Sequence, residues 1–185
     1  MGARTIQVIH KIIHPDFVPS TLKNDICLLE LADSIVFSDF AQPVCFPPKG
    51  SRIDKNVKLG EGEICYVAGW GRIGETLGTA RILQETQVPI VNNTVCDDAY
   101  VRNHVTEEAM VCAGYAEGGI DACQGDSGGP LICVENNQPV LRGVVSWGIG
   151  CARRGLYGVY TRTSSYIDWV RYESYETLCG RVDYS

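Results

Sequence analysis

Nine cysteines are scattered along the chain, and no two of them form a Cys-x-x-Cys pair. That spacing argues against a zinc site and for the disulfide framework of an exported protein, oxidised where it folds. The odd count leaves one over, either a free thiol or a bridge that leaves the chain. Between the cysteines run short Val/Ile/Leu segments punctuated by 20 glycines and 8 prolines, a pattern of short strands and tight turns. A length of 185 residues suits one domain with a real core. No apolar run is long enough to span a bilayer. A formal net charge of -6 argues against nucleic acid as a partner. Met1-Gly2-Ala3-Arg4 opens no apolar signal-peptide core, so the export signal is expected outside this chain.

The pattern stays β along most of the length. Residues 5–13 alternate imperfectly, as a strand does, and His14-Pro15 ends the run. The polar turn 20–25 feeds an apolar strand at 26–31. Asp25 therefore stands at the mouth of a strand, where a carboxylate needs hydrogen-bond partners; taken alone, it reads as a turn cap. Residues 41–48 form a proline-rich connector. Further strands are expected at 64–71, 83–90, 131–134, 140–147 and 158–163, and 110–115 leads into a glycine-rich loop. The small-residue loop 74–80 is expected to be mobile and exposed to proteolysis. A short helix is expected at 94–101, capped by Asn93 or Thr94. A C-terminal helix is expected at 164–177, capped by Ser164 or Ser165, with Tyr166, Ile167, Trp169 and Val170 on its apolar face. No internal repeat interrupts this order.

The chemistry concentrates in Asp121-Ala122-Cys123-Gln124-Gly125-Asp126-Ser127-Gly128-Gly129-Pro130. Glycines on both sides let the backbone turn tightly and bring its N–H groups close to a substrate. The same composition also suits an ordinary surface loop. Gly125-x-Ser127-x-Gly129 fits the nucleophile elbow of α/β-hydrolases, but an elbow runs from strand into helix, and here Pro130 and an apolar strand follow. Elbow enzymes also place their histidine after the serine, whereas His10, His14 and His104 all precede Ser127.

The stretch instead resembles the chymotrypsin/trypsin-like serine endopeptidases. The resemblance runs from about Val8 to about Arg171. It is carried by Asn24-Asp25-Ile26-Cys27, Ala68-Gly69-Trp70-Gly71, Cys112-Ala113-Gly114-Tyr115, the central stretch, Val145-Ser146-Trp147-Gly148 and Gly158-Val159-Tyr160-Thr161. It implies an all-β double barrel at 1–171: an incomplete first barrel and connector (1–50), a complete second barrel (51–163), the helix 164–177, and a tail at 178–185. It implies Ser127 as nucleophile, the Gly125 and Ser127 N–H groups as oxyanion hole, and Asp25 as the carboxylate orienting a triad histidine. Asp121 corresponds to the acid of the specificity pocket, with Ala122, Gln124, Ser146, Trp147, Gly148 and Gly158 around it. Substrates would be proteins cleaved after Arg or Lys, with protein protease inhibitors as further partners. Ala122 stands where many trypsins carry serine. Without that hydroxyl, the bidentate guanidinium of Arg should be favoured over the compact ammonium of Lys. No cofactor is expected apart from a sodium ion near Tyr157, which resembles the tyrosine of sodium-sensitive members. Three bridges follow from the resemblance: Cys65–Cys133, Cys96–Cys112 and Cys123–Cys151. Cys27 is expected to be a buried thiol, Cys45 to tether an upstream segment, and Cys179 has no counterpart. Asn92-Asn93-Thr94 is a glycosylation sequon if the chain is exported.

Two family features have no counterpart in the sequence. Only 24 residues precede Asp25, and none of them forms the Ala-Ala-His-Cys-like segment that carries the triad histidine. The Ile-Val-Gly-Gly-like activation terminus, which would pair with Asp126, is also missing. Asp126 without a cation is expected to rotate or stay solvated, leaving a poorly formed oxyanion hole. The sequence therefore reads as the rear portion of a secreted protease, N-terminally truncated and nearly inactive alone. The rival reading is a catalytically dead pseudoprotease kept as a binding or regulatory module.

Overall fold

Two strands come first, β1 (Val8–Ile13) and β2 (Cys27–Leu31), paired antiparallel as a sheet of their own. Six more follow: β3 (Ile64–Gly69), β4 (Gln84–Val91), β5 (Met110–Ala113), β6 (Pro130–Glu135), β7 (Gln138–Trp147) and β8 (Gly158–Arg162). In this computed structural model, which describes residues 4–47, 61–100 and 105–174, those six close into a barrel in the order β3-β4-β5-β8-β7-β6. Every neighbouring pair is antiparallel. The fold is thus mostly β, with one closed barrel, a second small sheet and a C-terminal helix, as the sequence pattern implied.

Period-two patterning explains the closure. Alternate residues 65/67, 88/90, 111/113 and 131/133 point inward from four strands and meet Tyr160 in one buried cluster. Cys65 pairs with Cys133 across β3 and β6 in this core, and the two are disulfide-bonded. Leu131 is 0% exposed there, so Leu131→Ala should destabilise the fold by about 3–4 kcal/mol, through lost burial and the cavity left behind. A denaturant-unfolding midpoint that does not fall would show the barrel is not packed this way.

A second cluster gathers Cys96, Tyr100, Met110, Cys112, Tyr157 and Val159 beneath α1 (Asn93–Ala99). The Cys96–Cys112 bridge ties that helix to β5. The cap lies one residue earlier than the sequence suggests. The Asn92 side chain accepts the Thr94 N–H at 2.8 Å, because the Asn93 amide is drawn inward to donate to the Met110 carbonyl at 2.9 Å. Asn92, the sequon asparagine, remains exposed. At the C-terminus a 3-10 turn (Thr163–Ser165) precedes α2 (Ile167–Ser174). Neither serine caps α2: the Ser165 hydroxyl donates to the Glu108 carbonyl instead. Residues 175–177 of the expected helix, the tail 178–185 with Cys179, the connector boundary at 50/51, and His104 all lie outside the described residues.

The first sheet differs from a closed barrel in a way the side chains register. Val8, Ile9, Ile13, Leu29, Phe37 and Phe40 are exposed, Phe40 to 90%. Cys27 is a free but exposed thiol, not a buried one. Among the described residues this two-stranded ribbon has no second layer to cover that face. Cys45 is already disulfide-bonded, which leaves it no thiol to offer an upstream segment in this form of the chain.

Candidate active site

The loop from β5 into β6 carries the glycine-flanked serine. Asp126 N–H donates to Cys123 O at 2.9 Å and Gly129 N–H to Asp126 O at 2.8 Å, so consecutive tight turns bracket Ser127. Gly128 N–H donates to Val145 O at 2.9 Å, which fastens the loop to β7. Gly125 (φ +100°) and Gly128 (φ +81°) take left-handed backbone that side-chain-bearing residues avoid. Among the described residues, the N–H groups of Gly125 and Ser127 have no intramolecular partner, and Ser127 is exposed. One turn therefore offers a hydroxyl and two unspent backbone donors.

Asp126 departs from expectation. Its carboxylate accepts the Gly71 N–H at 2.7 Å and the Cys123 N–H at 2.9 Å, one on each oxygen. Backbone amides take the place of a cation, so the half-buried carboxylate holds the serine turn in shape instead of rotating away. A Cβ on Gly69 would lie 2.0 Å from Asp126 Oδ1, and one on Gly71 would lie 2.5 Å from it. The Gly69-Trp70-Gly71 motif is therefore the surface against which Asp126 packs, beside a cavity of about 250 Å³.

Asp25 sits where the small sheet meets the barrel. Its Oδ2 accepts the Ser146 hydroxyl at 2.7 Å, and its backbone carbonyl accepts the Thr161 hydroxyl at 2.7 Å. Next to it, Asn24 Oδ1 accepts the Tyr166 hydroxyl at 2.8 Å. Asp25 Oδ1 has no hydrogen-bond partner among the described residues. Ser146 lines the same cavity as Ser127. The hydroxyl of Ser146 thus links the carboxylate of Asp25 to the wall beside the serine, with the turn before β2 and the strand β7 supplying the two sides.

That cavity, of about 180 Å³, is lined by Asp121, Ala122, Cys123, Gln124, Ser127, Ser146, Trp147, Gly148 and Gly158, with Tyr160 behind them. The Asp121 oxygens accept the Ala122 N–H at 2.8 Å and the Ala152 N–H at 3.1 Å. Burial pushes its carboxyl above the usual carboxylate range. The two N–H donors oppose that shift, and the negative Asp126 adds to it. A Cβ at Gly158 would come within 2.8 Å of Asp121 Oδ1 and 3.0 Å of the Tyr160 hydroxyl, so only glycine leaves this floor open. The Tyr160 hydroxyl is buried without a hydrogen-bond partner among the described residues. Trp147 is braced from outside by Tyr100, ring centroids 4.9 Å apart. The Cys123–Cys151 bridge joins the serine loop to the opposite rim.

Two of the three histidines lie elsewhere. His10 pairs with Glu30 at 2.8 Å on the exposed sheet. His14 accepts the Asp16 N–H at 3.2 Å and packs against Tyr166 and Trp169, ring centroids 5.2 and 4.9 Å away. Neither hydrogen-bonds Asp25 or Ser127. Tyr157 is buried in the second cluster, and its carbonyl accepts the Tyr100 hydroxyl. Among the described residues, one group of metal-ligand type, Glu63 with Cys65 and Cys133, has its two sulfurs spent on each other.

The barrel and the Cys123–Cys151 bridge hold the glycine-turn serine beside a carboxylate-floored cavity. The family model described as Trypsin matches residues 2–170. Over 166 residues the chain is 42% identical to "Venom serine protease Bi-VSP" of Bombus ignitus, spanning 88% of this chain and 45% of that protein. Over 168 residues it is 41% identical to "Trypsin-1" of Astacus astacus, spanning 91% of this chain and 67% of that protein. The chain belongs to the trypsin family of serine proteases, and it spans less than half the length of the venom relative.

Proposed function

We propose that this chain carries most of the working parts of a secreted endopeptidase that cuts proteins after arginine, and less readily after lysine. The observation that carries the reading is convergence: Ser127, the Ser146–Asp25 hydrogen bond and Asp121 all meet at one cavity. Ser127 Oγ attacks the scissile carbonyl while a general base takes its proton. The developing oxyanion sits at the Gly125 and Ser127 N–H groups, and the proton passes to the leaving amine. Water then cleaves the acyl-enzyme by the same route. Asp25 Oδ1 stands ready to orient the base, with Oδ2 fixed by Ser146. Asp121 receives the substrate cation, and the orphan Tyr160 hydroxyl gives the slot a second polar group. Among the described residues no base is in place, since neither His10 nor His14 is positioned to act. Export agrees with the three bridges between described residues and with a relative named as a venom protease. Partners on this reading are protein substrates and protein protease inhibitors.

A panel of matched peptides, given to a form of the chain supplied with its base, tests the assignment. Cleavage should follow Arg, then Lys, and vanish in Ser127→Ala. Hydrolysis surviving that change, or cleavage after acidic or apolar residues, would sink it. Ala122 adds a finer prediction. It lines the slot without a hydroxyl, so Arg should exceed Lys by about 3- to 10-fold in kcat/KM, and Ala122→Ser should narrow the gap. Equal turnover of the two peptides by the parent sequence would refute it.

The second reading, a pseudoprotease acting as a binding module, is favoured by the engagement of His10 and His14 away from Asp25. A stable secreted product that starts at Met1 and captures a protein partner without turnover would select it.

A further inference from the structure

The loop between β3 and β4 reaches across to the rim of the Asp121 slot. It is not a loose loop, because Ile73 N–H donates to Gly78 O at 3.2 Å, Ala80 N–H to Gly71 O at 3.0 Å, and Arg72 N–H to Gln124 O at 2.9 Å. From this frame Glu75 extends a carboxylate to the segment after β7. Its Oε1 accepts the Cys151 N–H at 2.8 Å and the Arg153 Nε–H at 2.6 Å, and its Oε2 accepts Arg153 Nη2 at 2.9 Å. Between those two residues, Ala152 gives its N–H to Asp121 at 3.1 Å. Three successive residues of the rim are therefore held by two carboxylates, Glu75 and Asp121, and Cys151 is also bridged to Cys123. Gly150 (φ +75°) makes room for this arrangement: a Cβ there would lie 2.1 Å from Glu75 Oε1 and 2.3 Å from Arg153 Nε. The hydrogen bonds from the Arg153 guanidinium and the Cys151 N–H hold the Glu75 carboxyl down to about 2, so the pair is charged across the neutral range.

We propose that the Glu75–Arg153 clasp sets the affinity of the Asp121 slot for a cationic side chain, by pinning the 150–153 rim and by neutralising a guanidinium beside the slot. Glu75 is then a positioning residue acting through Cys151 and Arg153. The inference rests on Asp121 being the cation-recognising group. Removing Glu75 does two things at once: it frees the Cys151 amide, and it leaves Arg153 as an unpaired cation that repels a cationic ligand. Removing both partners undoes the second effect but not the first. That asymmetry separates a charge-and-position role from simple loss of packing.

The test is titration of the full chain with p-aminobenzamidine, a fluorescent amidine, at fixed ionic strength, with unfolding midpoints recorded alongside. Glu75→Ala should raise Kd about tenfold and Glu75→Gln, which keeps an acceptor for Cys151 N–H, about threefold. The double variant Glu75→Ala/Arg153→Ala should bind better than Glu75→Ala alone. Should Glu75→Ala fail to fold, Glu75→Gln and Arg153→Ala decide the matter. If Asp121→Asn leaves the probe affinity unchanged, the slot itself has been misread. If Asp121→Asn destroys binding while the Glu75 variants bind like the parent, or the double variant binds worse than Glu75→Ala, the clasp proposal is overturned and the reading of the slot survives.

Discussion

Hydrolysis of an arginyl amide by this 185-residue chain is expected to run about 10⁶-fold below that of a trypsin-family enzyme with a complete triad. A serine hydroxyl is a poor nucleophile until a neighbouring base accepts its proton, and no described histidine stands beside Ser127 or Asp25. What remains is binding and the two unspent N–H donors, which together leave about 10³–10⁴ over water in enzymes stripped of the triad. The geometry suggests a sharper experiment than measuring a low rate. Asp25 Oδ1 is unpartnered and Ser146 fixes the other oxygen, so a diffusible imidazole has a carboxylate waiting to orient it. Added imidazole should raise the rate of a fluorogenic arginyl amide in proportion to its concentration. Ser127→Ala should abolish that rise, and Asp25→Asn should blunt it. Rapid fluorophosphonate labelling of Ser127 with no imidazole present would mean that a base has been overlooked, and the ordering of roles given above would fall.

How far the sequence reaches can be judged from particular residues. The barrel is legible because its inward residues alternate: the pairs 65/67 and 131/133 declare a buried face without any knowledge of the fold. The serine turn is legible because glycine is the residue such backbone requires, and Gly125 and Gly128 do take positive φ. Two failures have a common physical origin. Cys27 looks like a core thiol because apolar strands are usually buried, but burial depends on what lies over the strand, and here nothing among the described residues does. Asp126 looks like a carboxylate in need of a cation, but the Gly71 and Cys123 amides that satisfy it come from backbone, whose direction a side-chain alphabet does not encode. The Ser146–Asp25 bond spans 121 residues, and the three Glu75 contacts span 76 to 78, so neither leaves a local trace. Exposed loops with small residues read as slack; Glu75 shows that one long-range carboxylate can fasten such a loop to a distant segment.

Asp121→Asn should lower affinity for p-aminobenzamidine, and kcat/KM for arginyl substrates in any base-supplied form, by about 10³-fold. Removing one partner of a desolvated charge pair leaves the other uncompensated, and the slot offers a guanidinium no second carboxylate among its lining residues. Neutral long side chains should then compete on nearly equal terms, which separates lost recognition from a collapsed pocket. The pH dependence has a definite sign. Burial holds the Asp121 carboxyl above its ordinary 3.8, and a cation binds only the ionised form. Affinity is therefore full above the raised value and falls about tenfold per pH unit beneath it, with the inflection above 3.8 in the free protein. Stability runs the other way. A carboxyl whose folded value is raised contributes most below its unfolded value and loses that contribution as pH climbs through the folded one, so the empty slot is strained at neutral pH and a bound amidine relieves it. The amidine should accordingly raise the unfolding temperature more at pH 7 than at pH 4, and not at all in Asp121→Asn. An amidine shift that is independent of pH would place the cation somewhere other than on this carboxylate.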